Sequence, residues 1–301
     1  MALQPRLEQR TSARLKRLGI TGQDEGHGAI LSGREPGVYK RTTMNGPSAP
    51  AGDLPVLWQL QISHFNEKVR WTLDYKRIPH VRRSLLPGFH ALAARRLTGE
   101  DTTPVLTLDG RSIGDSTAII AELESRWPEP PLYPADPQQR ARALELEEYF
   151  DEELGPHIRR AVYHVLLDHP ELVVPLFVNG QPALARAFIQ AAFPVLKTAM
   201  RRALTITPQA AADSQAKAIA AMDRLEAELG PSGYLVGDAF SIADLTAAAL
   251  FYPVVLPPSF PYPQVAEVPE PARQLLDGLR SRPGGQWVAT MYERHRRPTP
   301  A

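Results

Sequence analysis

Residues 55–73, Pro55-Val56-Leu57-Trp58-Gln59-Leu60-Gln61-Ile62-Ser63-His64-Phe65-Asn66-Glu67-Lys68-Val69-Arg70-Trp71-Thr72-Leu73, decide the fold. An apolar run of strand length gives way to a helical pattern that puts Val69, Leu73 and Ile78 near one face. Ser63 stands where that helix must begin and is the expected N-cap, its hydroxyl accepting from a free amide of the first turn.

Further on, Thr102-Thr103-Pro104-Val105-Leu106-Thr107-Leu108-Asp109-Gly110 is a short strand entered through a proline and left through an Asp-Gly turn. Ile113-Gly114-Asp115-Ser116-Thr117-Ala118-Ile119-Ile120 then gives a brief strand and another capped helix. Expected strands lie near 55–60, 80–85, 104–108 and 111–113, and expected helices near 64–77, 89–98 and 116–126. The order is strand, helix, strand, helix, strand, strand, helix, an α/β domain over 54–127.

Residues 128–137 contain five prolines and cannot continue a helix, which makes them the expected interdomain linker. Beyond them, helical patterns run over 138–163 with a bend at Gly155-Pro156, then 182–203, 210–229, 242–250 and 271–294. Helices without intervening strands imply an all-helical bundle over 138–295, followed by a tail at 296–301. Ser241 and Asp244 form the pattern of a capping box, a device that starts a helix. The stretch 253–271 holds seven prolines with Phe260 and Tyr262 and reads as a long loop, either a surface excursion or a wall over a cleft.

The composition narrows function by exclusion. Lys and Arg number 34 against 33 Asp and Glu, so the net charge of +1 gives no global attraction to nucleic acid or an anionic membrane. Cysteine is absent, which rules out disulfides, thiolate metal sites, a cysteine nucleophile and dithiol redox chemistry. No apolar run reaches membrane-spanning length and no secretory h-region follows the first charges, so a cytoplasmic location is expected. In residues 1–53, Leu3, Leu7, Leu15 and Leu18 could line a basic helix with Arg6, Arg10, Arg14, Lys16 and Arg17. That fits a targeting peptide or surface-binding arm, but a disordered, dispensable extension with a later start at Met44 is the plainer expectation.

Three features in this order, the capped strand-turn-helix at Ser63, the strand entered at Pro104 and the Asp115-Ser116 helix start, resemble the thioredoxin-like domain of the cytosolic glutathione transferases. With the helical second half, the resemblance covers about residues 54–295. It implies an enzyme that holds glutathione or a similar low-molecular-weight thiol as its thiolate and joins it to a hydrophobic electrophile. No metal or other cofactor is implied, and a two-fold homodimer is. Ser63 matches the active serine of the serine-type classes, donating to the sulfur at a helix N-terminus, though helix capping alone also explains it. Asn66, one turn on, either helps orient the sulfur or faces solvent. Pro104, if cis as in the family, would present the backbone of Thr103 to the cysteinyl part of the ligand, while Asp115 and Ser116 would take the γ-glutamyl end.

Many relatives carry a basic residue just before this proline, whereas the chain has Gly99-Glu100-Asp101-Thr102-Thr103. His90 and Arg95 on the second helix are the candidate substitutes for holding a ligand carboxylate. The electrophile pocket is expected between the domains, lined by Phe65, Tyr149, His157, Arg160 and Tyr163, with the arginine favouring an anionic or polar substrate. Two other readings stay open: a non-catalytic ligand-binding or scaffold protein, and a dehalogenase or isomerase that uses the thiol catalytically. A glutaredoxin-like reductase is disfavoured by the lack of cysteine.

Overall fold

A computed structural model describes residues 54–265, 267–270 and 272–297, so the expectations for residues 1–53 lie outside the described residues. The chain pairs β1 (Val56–Gln59) in parallel with β2 (Val81–Ser84) and antiparallel with β3 (Val105–Leu108), while β3 pairs antiparallel with β4 (Arg111–Gly114). The sheet order is β2-β1-β3-β4, with Val56 opposite Val81 and Leu57 opposite Leu106. Helices α1 (His64–Tyr75), α2 (Phe89–Thr98) and α3 (Ser116–Arg126) complete the expected α/β order. Leu57, Val69, Leu73, Ile78, Leu106, Ile119 and Leu123 form the core between the sheet, α1 and α3.

α1 departs from the one-faced helix read in the sequence. It packs against both α3 and a helix of the second half, so Asn66, Glu67, Lys68, Arg70, Thr72 and Asp74 are buried along with Val69, Trp71 and Leu73. Buried charges must be paired to be tolerated, and these are. Arg70 donates to Glu67 at 2.7 Å, while Arg296 donates to Glu67 and to Asp74 at 2.6 Å each. Arg296, placed in the tail by the sequence, is therefore a buried part of the fold, 2% exposed.

The helical half comprises α4 (Pro137–Glu153), α5 (Gly155–Leu166), α6 (Pro170–Phe177), α7 (Ala183–Ala203), α8 (Pro208–Glu228), α9 (Ile242–Val255), α10 (Ala272–Arg280) and α11 (Pro283–His295). The pattern expected as one bent helix over 138–163 is broken at Leu154 into α4 and α5, with Pro156 in the first turn of α5, where its missing N–H costs nothing. The stretch 271–294 likewise divides before Pro283. α6 was not expected; it starts at Pro170, again as a first-turn proline, and Pro175 lies inside it. α9 is buried on nearly every side, the mark of a central helix, and it runs through Pro253, beyond the expected end at 250.

The Ser241–Asp244 capping box forms as read. The Asp244 carboxylate accepts from the Ser241 amide at 2.9 Å, the Ser241 hydroxyl at 2.8 Å and the Leu235 amide at 2.8 Å. Asp244→Ala would leave these buried donors unpaired at the start of the central helix. The variant should lose about 2–3 kcal/mol of stability in urea unfolding, the scale of a hydrogen bond to a charged group plus an exposed cap. A change below about 0.5 kcal/mol would show that the box carries no stability.

Candidate active site

The β1–α1 turn is held by hydrogen bonds from its own helix. Ser63 caps α1 with extended backbone angles, φ −81° and ψ 124°, and its Oγ accepts from the Asn66 amide at 3.4 Å. The guanidinium of Arg70, fully buried, donates to the carbonyls of Gln61 at 3.0 Å, Leu60 at 3.3 Å and Ser63 at 3.4 Å, and to the Gln59 side chain at 2.9 Å. Arg70 thus ties down the loop that presents Ser63. A charged residue in a helical pattern reads as solvent-facing, so no signal in the sequence separates it from a surface arginine.

Asn66 is fully buried and does not face solvent. Its Nδ2 donates to the Thr103 hydroxyl at 3.2 Å, linking the first turn of α1 to the residue before Pro104, while its Oδ1 is buried without a hydrogen-bond partner. The Thr103–Pro104 bond is cis. Asp115 caps α3, its carboxylate accepting from the Ala118 amide at 3.0 Å, with φ 67° and ψ 126°. A non-glycine residue in that region is strained, and such residues cluster where a ligand is gripped. Ser116 is buried beside it.

Ser63 opens on a cavity of about 250 Å³ that it shares with His64, Thr102, Thr103 and His90 on the first half and with α5, α6, α7, α9 and the following loop on the second. Pro253, Leu256, Pro263, Gln264 and Val265 line it, so the proline-rich stretch is a wall of the cleft and not a surface excursion. His64 donates from Nε2 to the Gly155 carbonyl at 2.9 Å. Burial, aided by the charges of Arg159 and Lys68, lowers its pKa to about 3, so the ring is neutral at physiological pH.

The five residues expected around the electrophile are divided. Tyr163 lines the cavity. Phe65 packs instead on the first turn of α5, where a Cβ on residue 155 would stand 2.4 Å from its ring, so only glycine permits this approach. Tyr149 lies under Arg224 and packs on the main helical core. His157 and Arg160 both meet the Ser214 hydroxyl of α8, at 3.2 and 3.0 Å, and Arg160 also donates to the Leu204 carbonyl at 2.9 Å. These are helix-to-helix ties. The arginine that reaches the cavity is its neighbour, Arg159. Of the two substitutes for the missing basic residue, Arg95 is engaged by Asp101 at 3.0 Å, whereas His90 lines the cavity.

Two family models match the chain: the N-terminal domain of glutathione S-transferases over residues 49–131 and their C-terminal domain over 208–281, together just over half of its length. The chain belongs to the glutathione S-transferase family. Among curated relatives of this chain, a probable maleylacetoacetate isomerase 2 of Drosophila melanogaster is 31% identical over 108 residues, 34% of this chain and 48% of that protein. Glutathione S-transferase Z2 of Arabidopsis thaliana is 33% identical over 97 residues, 32% of this chain and 42% of that protein. The matched stretch thus spans less than half the length of these relatives.

Among solved structures, a glutathione S-transferase of Methylobacillus flagellatus with GSH bound superposes with a TM-score of 0.53 at 19% identity, over 80% of this chain and 96% of that one. A beta-etherase of Sphingobium gives 0.52 at 22% identity, over 78% and 98%. These likenesses establish the fold. The cavity wall supplied by Arg159, Tyr163, Leu166, Leu176, Phe177 and Met200 falls between the two stretches that the family models match.

Proposed function

We propose that this member of the glutathione S-transferase family is a glutathione-dependent enzyme of the serine type, joining the thiol to an electrophile held in the cavity. The observation that carries this reading is Ser63, whose oxygen is used in capping α1 while its O–H remains available at the cavity wall. A thiol seated there would receive that hydrogen bond and the positive end of the α1 dipole, both favouring the thiolate. Thr103 would pair with the ligand backbone, and Asp115 with Ser116 would hold its α-amino and carboxylate groups. In the reaction the thiolate sulfur forms a bond to the electrophilic carbon, and the leaving group departs with its electron pair. In addition to a double bond, the resulting carbanion takes a proton from water.

The isomerase name of the Drosophila relative favours a second reading, in which the thiol adds, allows rotation and is expelled unchanged. Calorimetric titration with glutathione tests the binding step common to both, and counting free thiol during turnover separates them. Consumption in step with product supports transfer, constant thiol supports isomerisation, and absence of glutathione binding overturns both in favour of a scaffold role. A two-fold dimer and a cytoplasmic address complete the proposal by analogy with the family.

Asp115→Asn keeps an oxygen to cap α3 but removes the charge facing the ligand's ammonium. Glutathione should bind about tenfold more weakly, the lower end for a hydrogen bond to a charged group, with the KM of the electrophile nearly unchanged. Unaltered glutathione affinity would reduce Asp115 to a cap.

A further inference from the structure

The charge pattern of the cavity points to the class of the second substrate, an inference that rests on the thiol-transfer reading above. Among the described lining residues there is no Asp or Glu, and Arg159 is the one Lys or Arg. The two histidines there are held neutral at physiological pH: burial takes His64 to about 3 and, outweighing Asp101, lowers His90. Arg159 is half-buried and has no hydrogen-bond or ion-pair partner among the described residues, unlike Arg160 beside it. Burial, reinforced by Arg160 and opposed by Tyr163, pulls its pKa below the usual arginine range.

A guanidinium withdrawn from water without an anion is costly, and the cost is relieved when a ligand brings one. Its planar fork matches a carboxylate with two parallel hydrogen bonds. Tyr163 is four residues on, on the same face of α5, and lines the same cavity. Burial pushes its phenol up to about 12, so it remains a donor. The surrounding wall of Leu166, Leu176, Phe177, Met200 and Leu204 is apolar and suits a hydrocarbon or aromatic body. We propose that the second substrate is an apolar electrophile bearing a carboxylate, which Arg159 and Tyr163 bind while the apolar wall holds its body beside the thiol at Ser63.

A carboxylate of glutathione itself is the other source of the same chemistry, and the test separates the two. Calorimetry compares 2-naphthoate with uncharged 2-naphthylmethanol, and separately glutathione, on the wild-type protein, Arg159→Met and Arg159→Lys. The carboxylate should bind the wild type about tenfold or more tightly than the alcohol. Arg159→Met should abolish that preference and leave glutathione affinity intact, and Arg159→Lys, which keeps the charge without the fork, should retain part of it. Melting temperatures identify a variant that fails to fold, and the lysine variant then carries the comparison. Equal binding of the two naphthyl probes to the wild type, or a preference that survives Arg159→Met, overturns the proposal. Loss of glutathione affinity in Arg159→Met with naphthoate unaffected also overturns it, assigning Arg159 to the thiol. A wild-type protein that prefers naphthoate but does not bind glutathione overturns the transferase reading and leaves the carboxylate site standing.

Discussion

Lys68→Met should lower the free energy of unfolding by about 3–5 kcal/mol, the scale on which removing one partner of a buried ion pair destabilises a protein. Against a typical total of about 5–15 kcal/mol this is a large fraction. The Lys68 ammonium, fully buried on α1, lies 2.8 Å from Glu147 and 2.5 Å from Asp151 on α4, so it ties the α/β half to the helical half. The Thr117 hydroxyl of α3 donates to the same pair, at 2.5 Å to Glu147 and 3.1 Å to Asp151. Burial by itself would lower the pKa of Lys68, but the two carboxylates outweigh it and raise the pKa above the ordinary lysine value. That contribution is complete at neutral pH and is lost only as pH rises through the raised value. In the methionine variant Glu147 and Asp151 keep their burial and lose their cation, which leaves buried charge uncompensated between the two halves. Urea unfolding at pH 8 checks this. A gap between wild type and variant under about 1 kcal/mol at pH 8 would show that the cluster is not what joins the two halves.

The same cluster shows where the sequence stops being legible. Elements marked by backbone chemistry are plain in one dimension: Ser63 as a cap, the Asp109-Gly110 turn with φ 50° and 74°, and the Asp115-Ser116 helix start all stand where they are read. These are local rules, satisfied by residues within one turn of each other. α1 is different because the partners of its charges are distant: Glu147 and Asp151 for Lys68, and Arg296 for Glu67 and Asp74. Helical periodicity assigns such residues to water, and only tertiary packing reverses that assignment. Of the five residues expected around the electrophile, Tyr163 lines the cavity and the other four lie elsewhere for a geometric reason. Tyr149, His157 and Arg160 share a stripe if 138–163 is one helix, but the break at Leu154 separates Tyr149 from the rest. α5 then turns Arg159, Val162, Tyr163 and Leu166 to the cavity, while His157 and Arg160 meet α8. Adjacent residues on a helix point about 100° apart, enough to exchange Arg159 for Arg160.

Ser63→Ala should raise the kinetic pKa of the bound thiol by about two units, towards the free value near 8.5, while leaving thiol affinity largely intact. Ser63 is proposed to donate to the ligand's sulfur and not to act as a nucleophile, so its removal acts on the ionisation and orientation of that sulfur. Lowering a thiol pKa from about 8.5 to about 6.5 raises the thiolate fraction at pH 7 from roughly 3% to roughly 75%, about 25-fold. Nucleophilicity falls with pKa at a Brønsted slope of about 0.4–0.5, which takes back about six- to tenfold of that gain. Holding thiol and electrophile together must therefore supply most of the acceleration, and Ser63→Ala should reveal itself more in the pH–rate profile than in the rate at one pH. Because the oxygen also caps α1, alanine should cost about 1 kcal/mol of stability, a loss that moves the melting temperature and not the kinetic pKa. Ser63→Cys puts a thiol at the same helix N-terminus, where its pKa falls and a mixed disulfide with the ligand becomes accessible to an oxidised thiol substrate. That variant should exchange conjugation for thiol–disulfide exchange. With chemistry rate-limiting, a Ser63→Ala enzyme whose rate and kinetic pKa match the wild type would make Ser63 a cap alone and remove the serine from the reaction.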